Sequence, residues 1–128
     1  MALHTRPVVY YAHCMAYYDT PIEKEDHITL SRMGFDVWCP NRPEVQKAVA
    51  DARAAGRSGM NLFKDYVLGC DVFAFRAING REMPAGVQKE LDWAKEAGMP
   101  IIELPWYTKD VLTPDQTRAF IRAYKCSC

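Results

Sequence analysis

The segment Gly86-Val87-Gln88-Lys89-Glu90-Leu91-Asp92-Trp93-Ala94 holds one carboxylate that is set apart from the charges around it. At helical spacing Gln88, Lys89, Asp92, Lys95 and Glu96 gather on one side, as on a solvated helix face. Glu90 falls instead beside Val87, Ala94 and Ala97, at the margin of the apolar stripe and near the positive end of the helix. A carboxylate so placed is partly shielded from water yet held ionised. Those properties suit a nucleophile that attacks an anomeric carbon and is later released by water or a second acceptor, as in retaining glycoside chemistry. The alternative is a boundary glutamate paired with a neighbouring lysine, and residue types alone leave both open.

Other residues could serve the same chemistry. His13 ends an apolar run, where an imidazole could protonate a leaving group, bind phosphate, or simply hydrogen-bond a loop. Tyr11 could hold the carboxylate through its hydroxyl or pack in the core. Tyr17, Tyr18, Trp38, Trp106 and Tyr107 offer flat faces for a stacked ring, or for packing. Asp19 and Asn41 suit sugar hydroxyls, and the guanidinium groups of Arg76 and Arg81 suit a phosphate. Glu23 is better explained by a capping box than by catalysis. The five cysteines, Cys14, Cys39, Cys70, Cys126 and Cys128, are odd in number and do not make a disulfide framework. The terminal Cys-Ser-Cys lacks a standard ligand spacing and a Cys/His partner cluster, so a metal site is not expected. No Gly-x-Gly-x-x-Gly and no Walker sequence occurs, which removes the usual dinucleotide and P-loop phosphate cradles.

The elements that must position these residues follow from the pattern of apolar runs and breakers. Pro7 to His13 is an unbroken β-branched and aromatic run, as expected of a strand covered on both faces. Thr20-Pro21-Ile22-Glu23 starts a helix that reaches Met33 before Gly34 stops it. A strand is expected over Asp36 to Pro40, and Pro43 opens a helix through Ala55 with Val45, Ala48, Val49 and Ala52 on one stripe. Gly56 and Gly59 separate it from a further helix carrying Met60, Phe63 and Val67. Asp71 to Arg76 is again a strand, the loop Ala77 to Ala85 contains the turn pair Asn79-Gly80, and Gly86 to Ala97 is helical. Pro100 to Leu104 makes a strand, and Thr113-Pro114-Asp115-Gln116 launches a last helix through Tyr124. This alternation predicts an α/β fold: a single-domain open parallel sheet of four or five strands with helices on both faces, flavodoxin-like or Rossmann-like. Ligands of such sheets bind beyond the carboxyl ends of the strands, which selects the loops after His13, Pro40, Arg76 and Pro105.

Composition sets outer bounds. A chain of 128 residues with 49% hydrophobic and 25% charged residues can build one continuous core. Sixteen basic residues balance sixteen acidic ones, so the field that would draw the protein to a nucleic acid polymer is missing. The apolar runs are too short to span a bilayer and the first residues do not read as a secretory signal, so a cytoplasmic protein is expected.

Taken in chain order, several short motifs resemble the nucleoside 2-deoxyribosyltransferases and the related nucleoside monophosphate N-glycoside hydrolases. In that family a glycine precedes the nucleophilic glutamate by four residues, as Gly86 precedes Glu90, and Leu91 and Ala94 match the apolar positions that follow. Gly98-Met99-Pro100-Ile101-Ile102 is similar to the family's Gly-Lys-Pro-Val-Ile type run. Gly69-Cys70-Asp71-Val72-Phe73-Ala74 is similar to its strand-opening Asp segment. Val9-Tyr10-Tyr11-Ala12-His13 stands where the family has an Ile-Tyr-Leu-Ala-Gly type strand end. The resemblance implies cleavage or exchange of an N-glycosidic bond in a small nucleoside or nucleotide, with Glu90 as nucleophile, Asp71 and Gly86 at the substrate, and no cofactor. It also implies a homodimer or higher homo-oligomer. There are departures: His13 replaces the strand-end glycine, Pro84 stands where the family has Asp or Ser, and Phe63 where transferases have Asp, with Asp65 two positions away. Pro84 and Phe63 favour an alternative, a non-catalytic module that senses a nucleotide. An NAD-cleaving glycohydrolase is a third reading, since it too would use a glutamate.

Overall fold

The β-branched and aromatic run after Pro7 forms the central strand β1 (Val8–Ala12) of a four-stranded, all-parallel sheet. In the computed structural model the structure describes residues 6–79, 81–105 and 112–126. The strand leads through a 3-10 turn (Met15–Tyr17) to α1 (Pro21–Arg32), β2 (Asp36–Trp38), α2 (Pro43–Ala54), α3 (Gly59–Leu68) and β3 (Val72–Arg76). Then come α4 (Ala85–Glu96), β4 (Ile101–Leu104) and α5 (Pro114–Cys126). The strand order β2-β1-β3-β4 gives the open, flavodoxin-like arrangement, four strands being found among the described residues. β2 stops at Trp38, short of the expected Pro40, whose ring nitrogen cannot donate to a ladder.

Sequence chemistry explains the helix ends. Thr20 Oγ1 accepts from the Glu23 amide at 3.5 Å and Pro21 occupies the first turn, while Gly34 takes φ 101° just past the other end. Only half of the expected capping box forms there: the Glu23 carboxylate reaches the amide of Asp19, at 3.0 Å, instead of that of Thr20. At α5 the box is reciprocal, with Gln116 N donating to Thr113 Oγ1 at 3.1 Å and Thr113 N to Gln116 Oε1 at 2.9 Å.

Register decides what each face of the sheet presents. Tyr10 pairs with Trp38 on one side and Phe73 on the other, so three aromatic rings lie in one row. That row, with Ala12 and Phe75, packs against Val67 of α3 and Val87, Leu91 and Ala94 of α4. The opposite face carries Val9, Tyr11, Val72 and Ala74 against Leu30 of α1 and Leu104. Successive strand residues point to opposite faces, so neighbouring tyrosines enter different cores. Among the described residues, no helix is long and apolar enough to cross a membrane.

Candidate active site

β1 has β2 on one side and β3 on the other, so the strand order reverses there, and the carboxyl ends of β1 and β3 flank the position where open α/β sheets take ligands. A cleft of about 330 Å³ opens at this place. Its walls include Tyr10, His13 and Tyr18 from the first strand and its loop, Phe63 from α3, and Gly86 and Glu90 from α4.

Glu90 lies within the buried stripe of α4, between Val87, Leu91 and Ala94, and is only 8% exposed. The stripe is therefore rotated relative to the sequence expectation: Glu90 sits inside it and Ala97 is exposed. The Tyr10 hydroxyl donates a hydrogen bond to Glu90 Oε2. The Tyr10 ring is held between Trp38, 5.3 Å away and 15° from parallel, and Phe73, 5.7 Å away and 6° from parallel, so the hydroxyl has one place to go. Burial pushes the Glu90 carboxyl up to about 7, against the hydrogen bond from Tyr10, which pulls it down. Burial, and then the nearby Glu90 charge, likewise raise the Tyr10 hydroxyl far above its ordinary range. Tyr18, half-buried on the cleft wall, is raised mainly by burial, with Cys39 and Glu90 adding to it.

Gly86 occupies the first turn of α4 on the same wall. A Cβ built there would meet only Met60 Sδ, at 4.0 Å, so packing inside the chain does not demand a glycine. Pro84, at the N-cap, gives α4 no side-chain hydrogen bond.

A second polar group lies beside the cleft. His13, whose side chain is fully buried, places Nδ1 3.2 Å from the Tyr11 carbonyl oxygen and Nε2 2.7 Å from Glu23 Oε2. Its ring stacks on Tyr11 at 3.9 Å. Glu23 also accepts from the Asp19 amide and from Asn41 Nδ2, each at 3.0 Å to Oε1, and Cys39 Sγ lies 3.8 Å from Oε2. Burial would raise the Glu23 carboxyl, but the hydrogen bonds from His13, Asp19 and Asn41 outweigh it and hold the group below the usual range. Burial pushes the Cys39 thiol up to about 11. Among the described residues, His13, Glu23 and Cys39 are the group able to hold a metal ion.

A third group lies on the other face of the sheet. Asp26 of α1, 3% exposed, accepts from the Tyr11 hydroxyl and from both Nε and Nη2 of Arg76, at 2.6 and 2.7 Å. The bidentate bond to Asp26 raises Arg76 and ties α1 to the end of β3.

These positions correct several sequence expectations. Tyr11 does not hold Glu90; its hydroxyl is bound to Asp26 across the sheet, and Tyr10 takes the expected role because it faces α4. Arg76 does not offer a free fork to phosphate, being committed to Asp26. Asp71 sits before β3, at the amino end of the sheet, where Oδ2 accepts from the Val8 amide at 2.8 Å; it is therefore far from a ligand at the carboxyl ends. Both nitrogens of His13 face acceptors, so it lines the cleft without presenting a free proton donor. Asp19 and Asn41 bind each other at 3.0 Å and brace Glu23. Tyr17 is not among the cleft residues, whereas Tyr18 is; Arg81 is exposed in a turn away from the wall. Trp38 is a core residue stacked on Tyr10, with the Arg42 guanidinium 5.1 Å above its ring. Trp106 and Tyr107 lie outside the described residues. Glu90, Gly86, His13 and Tyr18 are expected residues that the fold does bring together at one cleft.

Sequence reasoning passed over Tyr10, Asp26 and Cys39. The signal for Tyr10 was strand parity, but β1 is apolar on both faces and parity cannot be assigned without knowing which helix lies on which side. No family model matches the chain, and no curated protein or solved structure matches it either.

Proposed function

We propose that the protein cleaves, or exchanges the base at, the N-glycosidic bond of a nucleoside or nucleoside monophosphate, with Glu90 as the nucleophile. The observation that carries this reading is the contrast among its shielded carboxylates. Asp26 is neutralised by Arg76 and Glu23 is braced by His13, the Asp19 amide and Asn41. Glu90 is buried against apolar side chains with one neutral hydroxyl as its hydrogen-bond partner. Leaving a carboxylate in that state costs stability, and the cost is intelligible where the group has work to do at the adjoining cleft.

In this mechanism the ionised Glu90 attacks the anomeric carbon on the face opposite the base. The C–N bond breaks, its electron pair goes to the departing base, and water or a second base later displaces Glu90. Tyr10 positions the attacking oxygen and supports its charge. Phe63, Met60 and Val49 give the cleft an apolar side suited to the face of a base, and the room kept at Gly86 admits the sugar close to the helix. The motif order from β1 to β4, with Gly86 four residues before Glu90, also supports this reading.

The test is incubation with a panel of nucleosides, nucleoside monophosphates and NAD, followed by mass detection of free base or nicotinamide. Base release by the natural chain, and its loss in a folded Glu90→Ala variant, are expected. A second reading is non-catalytic nucleotide binding, favoured by the presence of Phe63 and Pro84 on the cleft wall where polar helpers are expected. Calorimetric binding with the ligand recovered unchanged would select it. Self-association is part of the proposal and is read by sedimentation equilibrium.

A further inference from the structure

We propose that His13, Glu23 and Cys39 form a binding site for a thiophilic divalent cation of the Zn²⁺ class. His13 Nε2, Glu23 Oε2 and Cys39 Sγ all lie within 4.8 Å of one another, with Nε2 2.7 Å and Sγ 3.8 Å from Oε2. An ion bonded to N, O and S at roughly 2.0 to 2.3 Å in a tetrahedron sets its ligand atoms about 3.3 to 3.7 Å apart. Side-chain movements of under about 1 Å therefore convert the present arrangement into a coordination shell.

Two features go beyond proximity. The Nδ1–H of His13 has the Tyr11 carbonyl to donate to, at 3.2 Å, which aims Nε2 inward, as the outer hydrogen bond of a ligating histidine does. Glu23 has Oε1 bound by the Asp19 amide and Asn41, each at 3.0 Å, while Oε2, which Asn41 Nδ2 also reaches at 3.3 Å, is the oxygen turned toward His13 and Cys39. The outer shell of a metal site is thus already built. On binding, the ion takes the place of the Sγ hydrogen and of any hydrogen held between Nε2 and Oε2, and these leave as protons. The thiolate and the carboxylate then balance its two positive charges. A thiolate with an imidazole selects a borderline or soft ion over Mg²⁺ or Ca²⁺, which take oxygen ligands. The chain supplies three ligands, leaving a fourth position for water.

The site draws on the end of β1, the first turn of α1 and the residue after β2, three segments that only the parallel sheet brings together. It does not rest on the role of Glu90, because its test reads metal and not turnover. Chelator-treated protein carrying Cys126→Ser and Cys128→Ser, to remove the terminal thiol pair, is titrated with Co²⁺ and then Zn²⁺. One equivalent of Co²⁺ should bind with a thiolate-to-metal charge-transfer band in the near ultraviolet, and Zn²⁺ should displace it. Adding Cys39→Ser should abolish the band and weaken Zn²⁺ at least tenfold, whereas Cys14→Ser should preserve both. Glu23→Gln should keep the band and weaken binding at least tenfold, an independent reading should Cys39→Ser fold poorly. Absence of stoichiometric Co²⁺ binding, survival of the band in Cys39→Ser, or its loss in Cys14→Ser alone would overturn the proposal.

Discussion

Replacing Glu90 by Gln should stabilise the protein far more at pH 8 than at pH 5. The carboxyl is raised from the ordinary 4.5 to about 7. Well below 4.5 it is protonated in both folded and unfolded chains and costs nothing. As pH rises, the unfolded chain ionises first, and the folded chain must either keep its proton or bury a charge, so stability falls through the window from 4.5 to 7 and levels off above it. At about 1.4 kcal/mol for each tenfold change, the loss between pH 5 and pH 8 comes to roughly 2 to 3 kcal/mol. Unfolding entropy of about 2 cal/mol/K per residue turns this into a difference in Tm of roughly 9 °C for a chain of this length. The amide cannot ionise and escapes the loss. Thermal unfolding of both proteins from pH 4.5 to 8.5 isolates the effect, since titrations at other sites cancel in the difference between the two curves. Curves that stay parallel to within about 0.5 kcal/mol across that range would refute the claim that Glu90 is desolvated without a counter-charge.

Three further outcomes follow from the positions of Glu90 and Asp26. If Glu90 must be ionised to react, kcat/KM rises with pH to a plateau above about 7, and Tyr10→Phe, by removing the hydrogen bond that holds the carboxyl down, should move that rise to higher pH and lower the plateau; an unmoved pH profile counts against Tyr10 as the positioning group. Asp26→Ala strands the partly buried Arg76 guanidinium and should cost about 3 to 5 kcal/mol in chemical denaturation, with little cost expected from Arg76→Met made together with Asp26→Leu and Tyr11→Phe, the last because the buried Tyr11 hydroxyl would otherwise lose its acceptor, so a single-variant loss below about 1 kcal/mol would show the pair to be solvated.

The three shielded carboxylates show how one functional group takes different states in a small domain. Asp26 meets a bidentate guanidinium and Glu23 is held below the usual range by its hydrogen bonds. Glu90 meets a phenol and hydrocarbon and is raised. Depth of burial does not separate these cases, since Asp26 is more buried than Glu90. The partner on the facing element does.

The sequence by itself determined the alternation of strands and helices, because apolar run length, proline at helix starts and glycine after helix ends are local signals. It also placed Glu90 and Gly86 on one helix beside the sheet's carboxyl edge, since four residues of helix bring them to one side. What only the tertiary structure decided is which side chains meet across elements. Tyr10 and Tyr11 are adjacent and chemically identical, yet one binds Glu90 of α4 and the other Asp26 of α1, because successive strand residues face opposite layers. Arg76 reads as a free cation until α1 supplies its carboxylate, and His13, Glu23 and Cys39 read as unrelated until parallel pairing brings three loop ends together. Spacing along the chain encodes position within an element, whereas the partner of a polar group is fixed by packing between elements.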